Sequence, residues 1–243
     1  MFLNRMINIT KNIIIKTTKP NISKNKFLEL IDSIHNYQPI PEILFKDKET
    51  IKYLNWRNCQ TSRNCYDRNK LINFQDKRVL DIGCNTGFYA WVNNNKFKSY
   101  VGIDYDKKCI EITKLILKKT YFQNIDFISN DIVDYFDKIK IDYDICLFFS
   151  IYHHMMYELG IDKSREIVNH ISKKCKVMYF DMGQKNESTN YDRKQWYDLL
   201  PDNISPETYI KEEIINNTMY NNAEIVGKTQ IGNSERLLFK FSK

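Results

Sequence analysis

From Arg78 onward, apolar and polar positions switch repeatedly between a period near two and a period near 3.6. "RVLDIG" (78–83) is a short apolar run that stops at a turn and reads as a buried strand, and "FYAWVNNN" (88–95) follows as a helix. "SYVGIDYD" (99–106) is a strand ending on an acid. In "KKCIEITKLILKK" (107–119), Cys109, Ile112, Leu115, Ile116 and Lys119 are spaced for one helical face. "IDFISND" (125–131) is another strand ending on an acid, and "YDICLFFS" (143–150) is wholly apolar, as in the middle of a parallel sheet. "KSREIVNHISKKC" (163–175) predicts a helix, "KVMYFDMG" (176–183) a strand, and "PETYIKEEIINNT" (206–218) a helix with acids in its first turns. "AEIVGKTQIGNSERLLFKFS" (223–242) predicts a hairpin turning at Gly232 and Asn233.

Strands alternating with helices imply right-handed βαβ units. The expected architecture is an α/β, Rossmann-like, mostly parallel seven-stranded sheet. A C-terminal antiparallel hairpin closes it, and helices cover both faces. Residues 1–45 lack a clear period apart from "FLELIDSI" (27–34), a short amphipathic helix, and Pro39 and Pro41 punctuate the segment's end. The chain thus divides into an N-terminal extension, 1–45, and a domain, 46–243. Residues 184–205 form a polar, aromatic insertion after the fifth strand.

Composition narrows the class. The chain has 243 residues, 42% of them hydrophobic, which suits a globular fold with a sizeable core. A formal charge of +7 invites a nucleic-acid reading, but the lysines are scattered, as on a solvated surface. Six cysteines form no C-x-x-C pair, which argues against a zinc site and for a reduced, cytoplasmic protein. No run reaches the ~18 apolar residues of a membrane span. The basic N-terminus has no cleavable secretory pattern, although its lack of acids allows a transit peptide.

Gly83, Asn85 and Gly87 form a Gly-x-Asn-x-Gly turn between strand and helix. Such a turn sets backbone N–H groups and a positive helix end at the carboxyl edge of the sheet. Asn85 is the non-glycine residue that best tolerates a left-handed φ. No Lys-Ser/Thr pair follows, so this is not an ATP phosphate loop. Asp104 follows about 20 residues on, where a carboxylate accepts from both hydroxyls of a ribose. Asp131, ending the third strand, suits the amino group of an adenine. Turn, ribose acid and adenine acid together describe an adenosine pocket that needs no pyrophosphate.

That set resembles class I S-adenosylmethionine-dependent methyltransferases over roughly residues 75–243. The resemblance implies S-adenosyl-L-methionine as cofactor. Asp81, Gly83 and Gly87 stand at the family's first motif, Asp104 at its ribose position and Asp131 at its adenine position, and Asn85 replaces the central glycine. The end of the fourth strand then faces the methyl group, where adjacent His153 and His154 are candidates for a general base. The other reading of this pair is structural, orienting a helix start. His35 and His170 have no expected role.

"SIYHHM", the "GID" after it and "RNCYDRNKLI" (63–72) resemble the methyltransferase half of the kinase–methyltransferases that terminate bacterial O-antigen chains. Arg63 and Arg68 would then clamp the methionine carboxylate or an anionic acceptor. No kinase signature is present, so only methyl transfer to a glycan hydroxyl or terminal phosphate is implied. "YLNWRNCQTSRNCYDR" (53–68) also resembles enzymes that alkylate wobble uridine in transfer RNA, with Tyr53, Trp56 and Tyr66 available to stack on bases. A small-molecule acceptor and a non-enzymatic, cofactor-binding partner subunit are further alternatives. In the insertion, Trp196, Tyr197 and Pro201 either stack on a sugar or base or pack beneath a lid.

Overall fold

The computed structural model describes residues 26–61, 65–120, 122–130, 132–136, 141–185, 187, 196–231 and 234–243. The expectations for residues 1–25, Arg63, Asp131, the Gly232–Asn233 turn and residues 186 and 188–195 of the insertion lie outside the described residues.

The strands are β1 (Arg78–Ile82), β2 (Ser99–Asp104), β3 (Ile125–Ser129), β4 (Tyr143–Phe149), β5 (Cys175–Asp181), β6 (Asn222–Ile231) and β7 (Ser234–Ser242). They form one sheet in the order β3-β2-β1-β4-β5-β7-β6. The first five run parallel, while β7 is antiparallel to both β5 and β6. The hairpin therefore does not simply extend the sheet. Its second strand inserts beside β5 and its first strand becomes the edge. The order reverses between β1 and β4, and in open α/β sheets ligands bind at the carboxyl ends of the strands flanking such a reversal.

The helices are α1 (Lys26–Asp32), α2 (Lys48–Asn58), α3 (Cys65–Lys70), α4 (Phe88–Val92), α5 (Lys107–Thr120), α6 (Ile132–Phe136), α7 (Tyr152–Leu159), α8 (Ile161–Lys174) and α9 (Pro206–Asn217). Strand alternation sorts side chains into two cores. Val79, Tyr100, Phe127, Ile145 and Leu147 face α1, α2, α4 and α5, whose Leu28, Leu54, Trp91 and Ile112 are buried against them. Leu80, Ile103, Cys146, Phe148 and Phe180 face α7, α8 and α9 through Met156, Ile171 and Ile214. Each fully buried Leu or Ile contributes about 1.5–3 kcal/mol. On α5, Cys109, Ile112 and Ile116 are buried as expected, but Lys119 is exposed and lays its ammonium over the Phe27 and Phe45 rings at 4.9 and 5.7 Å.

Helices α2, α3, α6 and α7 are not apparent in the apolar pattern. On α2 the buried face is Thr50, Tyr53, Leu54 and Arg57, a true helical spacing in which two of four members are polar. Its start is set by Asp47, whose carboxylate accepts from the Thr50 N–H at 2.7 Å. Helix α9 is capped in the same way by Ser205, with Pro206 in its first turn.

Candidate functional site

Gly83, Asn85 and Gly87 adopt φ of +71°, +46° and +76°. Three left-handed residues in five fold the chain back on itself between β1 and α4. Asn85 takes the conformation its side chain tolerates best outside glycine. A Cβ on Gly87 would lie 2.8–3.1 Å from Phe127 and Trp91, so neither φ nor space admits a side chain. A Cβ on Gly83 would collide with Ile151, the residue that opens α7, so the turn lies directly beneath the end of β4.

Asp104 closes β2 beside this turn. Its carboxylate accepts from the Asn85 N–H at 2.8 Å and the Asp106 N–H at 2.9 Å. Burial pushes the Asp104 carboxyl above its ordinary value, while the two amides oppose this. Two of its roughly four lone-pair sites remain for a further pair of donors. Asp81, in contrast, is buried within β1 and accepts from the Tyr100 hydroxyl. Burial raises its pKa to about 7.

The N-terminal layer reaches into the same place. The Gln38 carboxamide accepts from the Phe88 N–H at 3.1 Å, at the start of α4. Arg57 donates to the Gln38 carbonyl at 3.2 Å, and burial lowers its pKa to about 10. Around the turn, Arg57 Nη2, Asn85 Oδ1 and Thr86 Oγ1 are buried with no hydrogen-bond partner among the described residues. A cation and two acceptors left open beside a carboxylate fit a ligand that carries a carboxylate, an ammonium and ribose hydroxyls together.

His153 and His154 lie on the first turn of α7, with ring centroids 4.2 Å apart. They differ sharply in setting. His153 is buried, and its Nδ1 accepts from the Gly183 N–H at 3.0 Å. A nitrogen already accepting a buried N–H is poorly placed to take another proton. His154 is exposed. Trp196 packs on His153 at 4.6 Å and is so close over Gly183 that a Cβ there would overlap the indole. It is 3% exposed and is part of the core, not a stacking platform. Tyr197 is half-buried, and its hydroxyl donates to the Lys185 carbonyl at 2.8 Å.

Arg68, which the sequence offers either as an anion clamp or as a surface arginine, is buried. Its guanidinium pairs with Asp181 at 2.5 Å and lies over the Phe149 ring. Burial works against its charge, but Asp181, Tyr89 and Cys65 together outweigh this and hold its pKa above the ordinary value. The pair belongs to a larger network. Arg236 makes a bidentate pair with Glu187 at 2.7 and 2.8 Å and donates to the Ser150 hydroxyl at 2.9 Å. Ser150, with φ +61°, donates to Asp181 at 2.8 Å. Strand β5 thus ends on an acid as β2 does, a signal in the sequence that could have flagged Asp181. The pattern carried no such sign for Arg236, Glu187, Gln38 or Arg57, which come together only through tertiary structure.

A family model described as a methyltransferase domain matches residues 73–197, more than half of the chain. The chain belongs to that family and is a methyltransferase enzyme. A stretch of 114 residues is 23% identical to the O-antigen chain terminator bifunctional methyltransferase/kinase WbdD of Escherichia coli, covering 45% of this chain and 16% of that protein. A crystal structure of WbdD aligns with a TM-score of 0.68 at 19% identity, over 89% of this chain and 46% of that one. The N-methyltransferase NodS from Bradyrhizobium japonicum WM9, in complex with S-adenosyl-L-homocysteine, aligns with a TM-score of 0.53 at 13% identity, over 73% and 86% of the two chains. At these identities the solved structures share the fold. The chain spans under half the length of the first WbdD structure it resembles. No described helix is long and apolar enough to cross a membrane.

Proposed function

We propose that the protein transfers a methyl group to an oxygen of a glycan in the cytoplasm. The observation that carries the cofactor assignment is the coupling of the left-handed turn to Asp104 through the Asn85 N–H. Asp104 would hold the ribose hydroxyls of S-adenosylmethionine, and Asp131 its adenine amino group. Arg57, and Arg63 six residues on, would hold the carboxylate, with Asn85 and Thr86 toward its ammonium. Asp81 would stiffen the turn from beneath. The bound cofactor supplies an electrophilic methyl on a sulfonium.

The chain's own task is to align an acceptor oxygen and receive its proton. His154 is the proposed base, since His153 already accepts from Gly183. His153 acts as a positioning residue that fixes the start of α7 against the 182–184 segment. Arg68 is proposed to act through Asp181 and Ser150, shaping the end of β4, and Trp196 and Tyr197 to form the back wall of the acceptor side.

The likeness to WbdD supports the glycan reading. The RNA reading loses part of its support, because Tyr53 is buried with its hydroxyl on Asp32, and Trp56 is half-buried against it. The test is transfer of labelled methyl from S-adenosylmethionine to fractionated glycan, RNA and protein pools. Label entering the glycan pool is expected. Label entering RNA alone overturns the reading.

A further inference from the structure

We propose that Gln38 is a positioning residue for cofactor binding: from the N-terminal layer it caps the entry of α4 and so holds the turn that receives S-adenosylmethionine. The inference rests on the cofactor reading above, and it extends the site to a residue 50 positions before Phe88 in the sequence.

Helix α4 needs a cap that its own start does not supply. The first N–H groups of a helix have no acceptor within it. A Ser, Thr, Asp or Asn side chain just before the helix usually meets one of them. Here that position is Gly87, at φ +76°, where a Cβ would lie 2.8–3.1 Å from Phe127 and Trp91. The geometry of the turn therefore excludes a capping side chain at its own N-cap. The Phe88 N–H donates instead to Gln38 Oε1 at 3.1 Å, so the cap comes from a different layer of the fold.

Gln38 can serve at that distance because its backbone is fixed. Pro39 follows it, and a residue before proline is disfavoured from helical backbone. The Gln38 carbonyl accepts from Arg57 Nη1 at 3.2 Å. On one side, Asn36 Nδ2 donates to the Arg57 carbonyl at 2.7 Å. On the other, the Asn58 carboxamide accepts from the Ile40 N–H at 3.0 Å and donates to the Ile40 carbonyl at 2.7 Å. Residues 36–40 are thus laced to the last turn of α2, and the Gln38 side chain carries that fixed frame across to α4. Phe88 directly follows Gly87 in the turn whose Asn85 N–H holds Asp104. Losing the cap loosens the joint that aims this pair. Coupling of this kind is reciprocal: if the Gln38 contact favours the turn that binds cofactor, bound cofactor favours the Gln38 contact by the same factor.

The test uses the full chain and S-adenosylhomocysteine as probe. Calorimetric titration compares the parent with Gln38→Met, which keeps the shape and loses the acceptor, and Gln38→Glu, which keeps an acceptor for the Phe88 N–H. Gln38→Met should bind the probe about fivefold more weakly or worse, and Gln38→Glu should stay within about threefold of the parent. A merely structural role would lower the melting temperature of Gln38→Met and leave its affinity for the probe alone. A second measurement needs no variant. Hydrogen exchange of the Ile40 amide in the parent should slow about fivefold or more when the probe is saturating. Parent affinity in Gln38→Met, an equal loss in Gln38→Glu, or Ile40 exchange indifferent to the probe overturns the inference. If the parent still binds the probe in those cases and Asp104→Ala binds it more weakly, the cofactor reading survives without it. If the parent does not bind the probe at all, both fall together.

Discussion

Asn85 donates its backbone N–H to Asp104 across the gap between the β1–α4 turn and the end of β2, at 2.8 Å. The donor belongs to a residue at φ +46°, so the strained turn and the carboxylate form one unit. Loosening the turn disorganises the acid, and removing the acid leaves an N–H of the turn without its partner.

Gly87→Ala should destabilise the protein by about 1–3 kcal/mol, since it adds a Cβ against Phe127 and Trp91 at a left-handed φ. Asn85→Gly keeps the conformation available and should change stability by less than about 1 kcal/mol. Urea unfolding of the two variants checks the contrast. Equal losses would mean that the left-handed geometry is not what the turn requires.

Asp81 ties stability to pH. Burial raises its folded-state pKa to about 7, above the ordinary carboxylate value, so the folded chain binds a proton that the unfolded chain releases. Its contribution is complete below the unfolded pKa and is lost as pH rises through the interval from about 4 to about 7. Asp81→Asn, which can still accept from Tyr100, should therefore stabilise the protein at pH 8 by about 1–3 kcal/mol and leave it nearly unchanged at pH 4. Thermal melts at the two pH values read this directly. A variant that is less stable at both would contradict it.

The two histidines should separate by kind of effect. His154→Ala should lower the methyl-transfer rate by roughly 10²–10⁴ with little change in melting temperature, as loss of a general base does. His153→Ala removes a buried acceptor from the Gly183 N–H and should cost about 1–3 kcal/mol of stability. Initial rates at saturating cofactor, with melts of both variants, decide the matter. Near-parent rates in His154→Ala would sink its role as base.

Arg236→Leu should destabilise the protein by about 3–5 kcal/mol, because Glu187 is then buried as an unpaired carboxylate. Adding Glu187→Leu should recover more than half of that loss. A double-variant cycle in urea measures the coupling, and strictly additive losses would show that the pair does not act as one.

The sheet, α5, α8 and α9 were legible because their apolar positions follow a single period and end at turns or caps. The left-handed turn and Asp104 were legible because glycine and a strand-end acid carry meaning by themselves. Helix α2 was hidden because Thr50 and Arg57 occupy buried positions that a hydrophobic pattern counts as polar. Arg68 reads as a surface residue for the same reason: nothing local shows that Asp181, more than a hundred residues later, neutralises it. Trp196 resembles an exposed stacking residue until Gly183, which lacks a side chain, is seen to admit its indole. Burial of charge and packing on glycine are decided by tertiary partners, and no local period records them.

The most direct test of the cofactor site is calorimetric titration of S-adenosylhomocysteine into the parent protein and into Asp104→Ala. The parent should bind one equivalent. The variant, folded by its melting curve, should bind more weakly by about 1–3 kcal/mol, the loss of a charged acceptor for two hydroxyls. Unchanged affinity in Asp104→Ala would contradict the site.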